Sequence, residues 1–197
     1  MVKEQTFIAI KPESVQRQLI GELITRFERR GLKLVAAKLI APTEELIGKH
    51  YPNDDAWLIP TGTNALKGHE AWGNKIDLTP RELATQIREG LIEYYSGRPM
   101  LAMIWEGAHA VELGRKTVGT TNPLTADLGS IRGDYSQESY SVADKLGRSM
   151  QTLVHASGSV EEAKCEIELW FKKEEILDYD LVISQIMHGT DWGKVKR

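Results

Sequence analysis

The chain has a single cysteine, Cys165, so no intramolecular disulfide is open to it. Stability must come from a packed core, and Cys165, within the last strongly helical stretch, is expected to be a buried structural thiol. The opening MVKEQTFIAIKPE lacks an apolar stretch long enough for a signal peptide or a membrane span, so a soluble cytoplasmic protein is expected. Positive charge is not in excess. At a formal net charge of −3, nonspecific nucleic-acid binding has no global electrostatic support, although local basic clusters can hold a nucleotide. The sequence contains no GxxxxGK(S/T) loop and no GxGxxG set, which disfavours P-loop and protein-kinase mechanisms. Metal-ligand spacings of histidine and cysteine, internal repeats, low-complexity tracts and interdomain linkers are also missing. What is there is 197 residues, 41% hydrophobic and 27% charged, which fits one globular domain able to bury a core.

TFIAIK (6–11) is short, apolar and rich in β-branched residues, and predicts a first strand. In KPESVQRQLIGELITRFERRG, Val15, Leu19, Leu23 and Phe27 recur every four residues beside Ile20 and Ile24, which predicts one helix stopping at Gly31. LKLVAAKLI (32–40) predicts a second, mostly covered strand, and Thr43 suits the N-cap of a short helix through EELIGKHY. Residues 51–97 are less regular. PNDDAWLIPTGTNALKGHEAWGNKID carries residues that favour turns, whereas LTPRELATQIREGLIEYYSG predicts a clean helix with Thr79, Pro80 and Glu82 as its start signal. This segment is an elaborated connection and not a second domain. PMLAMIW (99–105) predicts a third strand and GAHAVELGRKTVG a helix. The stretch TTNPLTADLGSIRGDYSQESYSVADKLGRS predicts a long polar loop, functional or disordered. MQTLVH (150–155) predicts a fourth strand and SVEEAKCEIELWF a closing helix, with Ser159 and Glu162 as a capping box. This order predicts an α+β, ferredoxin-like βαββαβ core: a four-stranded antiparallel sheet covered by helices on one face, with an inserted helical segment. A single domain spans residues 1–197, with the insertion at about 52–98 and a C-terminal extension at about 172–197.

TLVHASGS (152–159) places a histidine at the end of a strand, directly before a helix N-terminus. Histidine is a usable nucleophile near neutral pH and a helix start attracts anions, so the pair points to chemistry on phosphate. A lone histidine is more often a satisfied strand-edge side chain, but the neighbours of His155 shift that weight. Ser157 and Ser159 bring hydroxyls and backbone donors. Glu166, seven residues beyond the Ser159 cap, shares that helix face and can orient one ring nitrogen, leaving the other free to attack. The bland reading of Glu166 is a solvated charge. Lys11 falls at the same end of the sheet as His155 if the strands pair as expected. Arg115, in a helix, and Arg132, in SIRGD, offer forks suited to phosphate oxygens, and each alone reads equally as a surface charge.

TFIAIKPESVQR, MIWEGAHAVELGRKTVGTTNP, GSIRGDY and LVHASGSVEEAKCEIELWF, in this order, resemble the signature blocks of the nucleoside diphosphate kinase family. They cover the first strand and helix and nearly all of residues 100–171. The resemblance implies a ferredoxin-like fold assembled as a hexamer or tetramer. It also implies a ping-pong exchange, in which a nucleoside triphosphate phosphorylates a histidine and a nucleoside diphosphate removes the phosphate. Mg²⁺ is implied as a passenger on the nucleotide phosphates, not in a protein metal cage. On this resemblance His155 matches the phosphorylated histidine and Glu166 the glutamate that hydrogen-bonds it. Lys11 matches the lysine that contacts the transferred phosphate and the sugar. Arg115, Thr121 and Arg132 match phosphate-binding positions, Tyr51 the tyrosine near histidine and phosphates, and Ser157 the serine supporting histidine and glutamate. Trp57 is the candidate for the aromatic that stacks the base. The departures are Thr152 for the usual asparagine, which contacts the sugar hydroxyl; Gly158 for an aspartate; and Glu13 and Ser14, which turn KPDG into KPES. The leading expectation is an active kinase, broad in base and sugar because stacking accepts every base. The second is a nucleotide-binding or regulatory protein that kept the fold and lost turnover, favoured by Thr152 and Gly158. RNA binding on the sheet is weaker, because the strands lack paired stacking aromatics.

Overall fold

Successive residues of a strand point to opposite faces, and in β1 (Glu4–Ile10) both faces are apolar from Phe7 onward. Phe7 and Ala9 join a cluster with Val35, Ile47 and Trp170, while Ile8 and Ile10 join another with Leu23, Phe27 and Trp105. In the computed structural model, which describes residues 3–190 and Gly193, β1 is accordingly an inner strand. It pairs antiparallel with β3 (Met100–Gly107) and β4 (Val154–Ala156). β3 also pairs antiparallel with β2 (Lys33–Ile40), so the sheet order is β2-β3-β1-β4, the expected ferredoxin-like arrangement. The helices follow the chain as α1 (Pro12–Gln16), α2 (Ile20–Arg29), α3 (Glu44–His50), α4 (Asp55–Ala71), α5 (Pro80–Tyr95), α6 (Ala110–Val118), α7 (Ile131–Tyr135), α8 (Tyr140–Lys145), α9 (Val160–Trp170) and α10 (Ser184–His188). They cover both faces of the sheet and not one. α2 and α6 pack on the Ile8 side, and α3, α5 and α9 on the Phe7 side.

Several local expectations change in the structure. The stripe through Val15, Leu19 and Leu23 is two helices, because Gln18 turns left-handed at φ 59°. Gln18 N–H donates to Val15 O and Leu19 N–H to Ser14 O, the double closure of a Schellman end built without glycine. The turn-rich stretch after Tyr51 is mostly α4. Asp54 caps it by accepting from Trp57 N–H, Leu58 and Ala65 are buried, and Gly62 lets the backbone of Pro80 approach. Packing of α4 on α5 overrides a weak local preference there. The Thr79–Glu82 capping box of α5 is present as expected. The long polar loop is ordered into a 3₁₀ turn at Pro123–Thr125, α7 and α8, with Ser130 and Ser139 capping the two helices. At α9 the box is half made: Ser159 accepts from Glu162 N–H, but the Glu162 carboxylate takes Gly158 N–H instead. Cys165 is exposed, because Ala163, Glu166, Ile167 and Trp170 define the buried side of α9. The C-terminal extension starts along the edge strand, where Leu177 N–H and the Tyr179 hydroxyl donate to the β2 carbonyls of Val35 and Leu34. Its last part, residues 191–192 and 194–197, lies outside the described residues.

Candidate active site

The sheet register sets the site. Ala9 of β1 faces His155 and Ile10 faces Val154, so the residue after β1, Lys11, lies beside the chain entering β4. The expectation that Lys11 and His155 share one end of the sheet holds. The fourth strand is shorter than expected, with His155 at its centre and not its end.

The strand is cut short by Leu153, a non-glycine residue at φ 65°. Val154 N–H donates to Thr152 O at 2.7 Å, closing a three-residue turn. Such a turn costs about 1–3 kcal/mol and persists only if its surroundings over-determine it. Glu13 Oε1 accepts from Leu153 N–H at 2.7 Å. Lys11 N–H and the Ser14 hydroxyl donate to Leu153 O, each at 2.9 Å. Glu13 and Ser14, two of the departures in KPES, thus hold the turn. The second carboxylate oxygen of Glu13 takes the Tyr94 hydroxyl of α5.

Arg132 grips the turn from the other side. Its Nε donates to Thr152 O at 3.0 Å and Nη2 to Val154 O at 2.7 Å, while Nη1 donates to Gly119 O and Thr120 O. The guanidinium is buried, which pushes its pKa down to about 10. Four of its five N–H groups are spent on carbonyls, leaving one for the cleft that Arg132 lines.

His155 is mostly buried, its side chain 16% exposed. Its Nε2 lies 2.6 Å from Glu166 Oε1, and Glu166 Oε2 accepts from the Ser157 hydroxyl at 2.5 Å. Phe7 N–H in turn donates to Ser157 Oγ at 3.1 Å. Burial favours the neutral form of Glu166, but the His155 charge and hydrogen bond, with help from Ser157, hold its pKa below the ordinary value. An ionised Glu166 fixes the proton on Nε2 and leaves Nδ1 with its lone pair.

His50 was not anticipated from sequence, and only its place beside Tyr51 in GKHY could have flagged it. Its ring packs edge-on to His155 at 4.8 Å, and its Nδ1 accepts from Trp170 Nε1–H and lies 3.6 Å from Glu166. Burial first, then the His155 charge, push its pKa down to about 3, so it is neutral. His50, His155 and Glu166 are close enough to share a metal ion. Two imidazoles suit Mg²⁺ poorly, since that ion takes oxygen ligands. Hydrogen bonds already engage all three residues.

Lys11, Tyr51, Trp57, Arg115, Thr121, Arg132, Thr152 and His155 all line one cleft, while Ser157 and Glu166 stand behind His155. The cleft, of roughly 1530 Å³, is larger than most small-molecule sites because α4, α5 and α8 extend its wall. Lys11 Nζ donates to Thr152 Oγ1 at 2.8 Å, so the threonine that replaces asparagine engages the lysine directly. Gly158 gives its N–H to Glu162 at 3.0 Å, and a Cβ at this position would come within 2.5 Å of that carboxylate. Trp57 does two things at once: it packs on the Tyr51 ring at 5.6 Å and lines the cleft. Of the carboxylates that line the cleft, Glu13 has both oxygens engaged by protein donors, and Glu162 takes Gly158 N–H on one oxygen.

A family model described as nucleoside diphosphate kinase matches residues 4–56 and 82–176, so the unmatched stretch between holds most of α4. The chain is 42% identical over 183 residues to a nucleoside diphosphate kinase of Pyrobaculum aerophilum, covering 90% of this chain and all of that one. The crystal structure of an NDP kinase from that organism superimposes with a TM-score of 0.84 at 40% identity, over 89% of this chain and 100% of the other. A nucleoside-diphosphate kinase from Borrelia burgdorferi, a transition state mimic with bound vanadate and ADP, gives a TM-score of 0.77 at 33% identity, over 94% and 97%.

Proposed function

This chain belongs to the nucleoside diphosphate kinase family and is a phosphotransferase of that class, and we propose that it exchanges phosphate by a ping-pong route through His155. The observation that carries this reading is the Nε2–Glu166 hydrogen bond, which leaves Nδ1 free at the cleft. Nδ1 attacks the terminal phosphorus of a nucleoside triphosphate; a P–N bond forms, the bridging P–O bond breaks, and the nucleoside diphosphate leaves. A second nucleoside diphosphate reverses the step. Glu166 keeps the Nε2 proton in place and stabilises the positive ring. Lys11, Arg115, the remaining N–H of Arg132 and the Thr121 hydroxyl serve the phosphate oxygens, since phosphoryl transfer is mainly positioning and charge neutralisation. Trp57 serves the base. Mg²⁺, when bound, adds charge neutralisation. Mg²⁺ is read as an ion carried on the nucleotide's phosphates, and the engagement of both Glu13 oxygens by protein donors supports that reading.

Thr152 and Gly158, which favoured a binding-only protein on sequence, each have a constructive contact, to Lys11 and Glu162. We read the assembly as a hexamer or tetramer, consistent with the strongly exposed Leu124 and Leu128 before α7. No helix among the described residues is long and apolar enough to cross a membrane. The chain's single cysteine agrees with the cytoplasm as its compartment.

The test is single-turnover labelling. Protein mixed with Mg²⁺ and terminally labelled ATP should acquire an acid-labile, base-stable label on His155, and GDP, CDP and dTDP should each remove it. Intact ATP binding without label would overturn the reading.

The buried Lys11 makes a separate prediction. Burial first, and Arg132 with it, push its pKa from 10.5 down to about 8, against an opposing pull from Glu13. Exchange should therefore decline as pH rises through about 8, where the ammonium is lost. Stability should move oppositely. Above about 8 the unfolded chain binds a proton that the folded chain has released, so the unfolding free energy gains from Lys11 as pH rises towards 10.5. Urea melts and kcat/KM over one pH series, compared with Lys11→Met, check this; a Lys11 contribution of the same sign in both would contradict it.

A further inference from the structure

Lys11 has to carry its charge in surroundings that disfavour charge. It is buried, and Arg132 from α7 disfavours its ammonium further. His50 of α3 is close enough for its own proton affinity to be reduced by Lys11. Glu13 of α1 is the carboxylate that favours the charge, yet both its oxygens are committed, to Leu153 N–H and the Tyr94 hydroxyl. A carboxylate aimed directly at Lys11 would hold the proton but would also repel a triphosphate.

The structure places an aromatic face there instead. Lys11 Nζ sits 5.4 Å from the ring centroid of Tyr95, with Thr152 Oγ1 at 2.8 Å. Tyr95, the last residue of α5, is 1% exposed and does not line the cleft. Its hydroxyl pairs with that of Tyr51 at 3.3 Å, and Tyr51 does line the cleft. We propose that Tyr95 is a positioning residue for phosphoryl transfer, its ring face keeping the Lys11 ammonium charged and directed at the cleft while its hydroxyl orients Tyr51. The proposal rests on the reading of Lys11 as a phosphate contact. A ring quadrupole attracts a cation within about 6 Å and, unlike a carboxylate, brings no net negative charge.

Tyr95→Phe and Tyr95→Leu, in the full chain, separate the ring from the hydroxyl. Two readouts apply: the basic limb of kcat/KM against pH, and the ¹³Cε titration of Lys11 in ¹³C-lysine-labelled protein, assigned with Lys11→Arg. Tyr95→Leu should lower the limb and the titration together by about one pH unit, the size of a desolvated cation–π contact. That is about a five-fold loss at pH 8 with little change near pH 6, whereas a merely structural defect lowers both equally. Tyr95→Phe should keep the wild-type limb and titration. Its smaller loss of rate should vanish in a Tyr51→Phe background. The same limb in all three proteins, or Phe falling with Leu, would overturn the role of the ring. If Tyr95→Leu fails to fold, Tyr95→Met carries the same readouts. If Lys11→Met exchanges phosphate normally, the fault lies with the reading of Lys11, and the titration, which needs no turnover, still judges the contact.

Discussion

Replacing His155 with asparagine is expected to abolish exchange, by at least about 10⁴-fold, and to remove the phosphoenzyme altogether. An amide nitrogen has its lone pair delocalised into the carbonyl and cannot attack phosphorus, so no P–N bond forms. Asparagine is the informative choice because its NH₂ can still donate to Glu166. Alanine would leave a buried carboxylate with one partner fewer and would confuse lost chemistry with lost stability. The variant should melt within a few degrees of wild type and bind nucleotide normally, because Lys11, Arg115 and Arg132 are untouched. Stopped exchange together with retained nucleotide binding is the expected pair. Appreciable label on the protein after incubation with ATP would place the nucleophile elsewhere.

Arg132→Met should give the largest combined effect on stability and rate. The guanidinium supplies donors to four backbone carbonyls, at Gly119, Thr120, Thr152 and Val154. Met fills a similar volume and satisfies none of them. Gly119 O and Thr120 O are partly open to water and Thr152 O keeps Val154 N–H, so the full cost of about 1–3 kcal/mol for an unpaired buried acceptor falls mainly on Val154 O, and about 3 kcal/mol in total is expected. For a chain of this length that lowers the melting temperature by roughly 10 °C. Exchange should fall at least 100-fold even well below the melting point. The Leu153 turn then loses one of its restraints, and His155 sits two residues beyond it. Arg132→Lys should recover only part of either quantity, because one ammonium cannot span carbonyls on two segments. A variant that keeps wild-type stability would show that the carbonyl contacts do not matter, and one that keeps full rate would detach the turn from catalysis.

The elements legible in the sequence are those whose information is local. Phe7–Ile10 of β1 and Met100–Trp105 of β3 are unbroken apolar runs because they are buried on both faces, and such a run needs no partner to be seen. The Thr79 cap with Glu82 is read from four residues and forms from the same four. His155 and Glu166 are eleven residues apart, joined by a helix start, so strand and helix geometry alone brings them together. Ser130 and Ser139 are equally local caps, but the polar, turn-rich stretch around them hides the two short helices that they start. The turn residues after Tyr51 misled because α4 is held by its packing on α5, with Gly62 against Pro80, more than by its own composition. Helix phase put Cys165 on the outside of α9, because at about 100° per residue it lies nearly opposite the face of Ala163, Ile167 and Trp170.

By itself, then, the sequence determined the order of the four strands and the family, and it offered His155 and Glu166 as the proposed nucleophile and its orienting carboxylate, because each of these depends on spacing along the chain. Only the tertiary structure decided how charge is managed around them. His50 reaches Glu166 from α3, Tyr95 reaches Lys11 from α5, and Arg132 holds two segments together around the turn before His155. These contacts join residues tens of positions apart, and their strength depends on burial and on distances of a few ångströms, which only the packed chain sets.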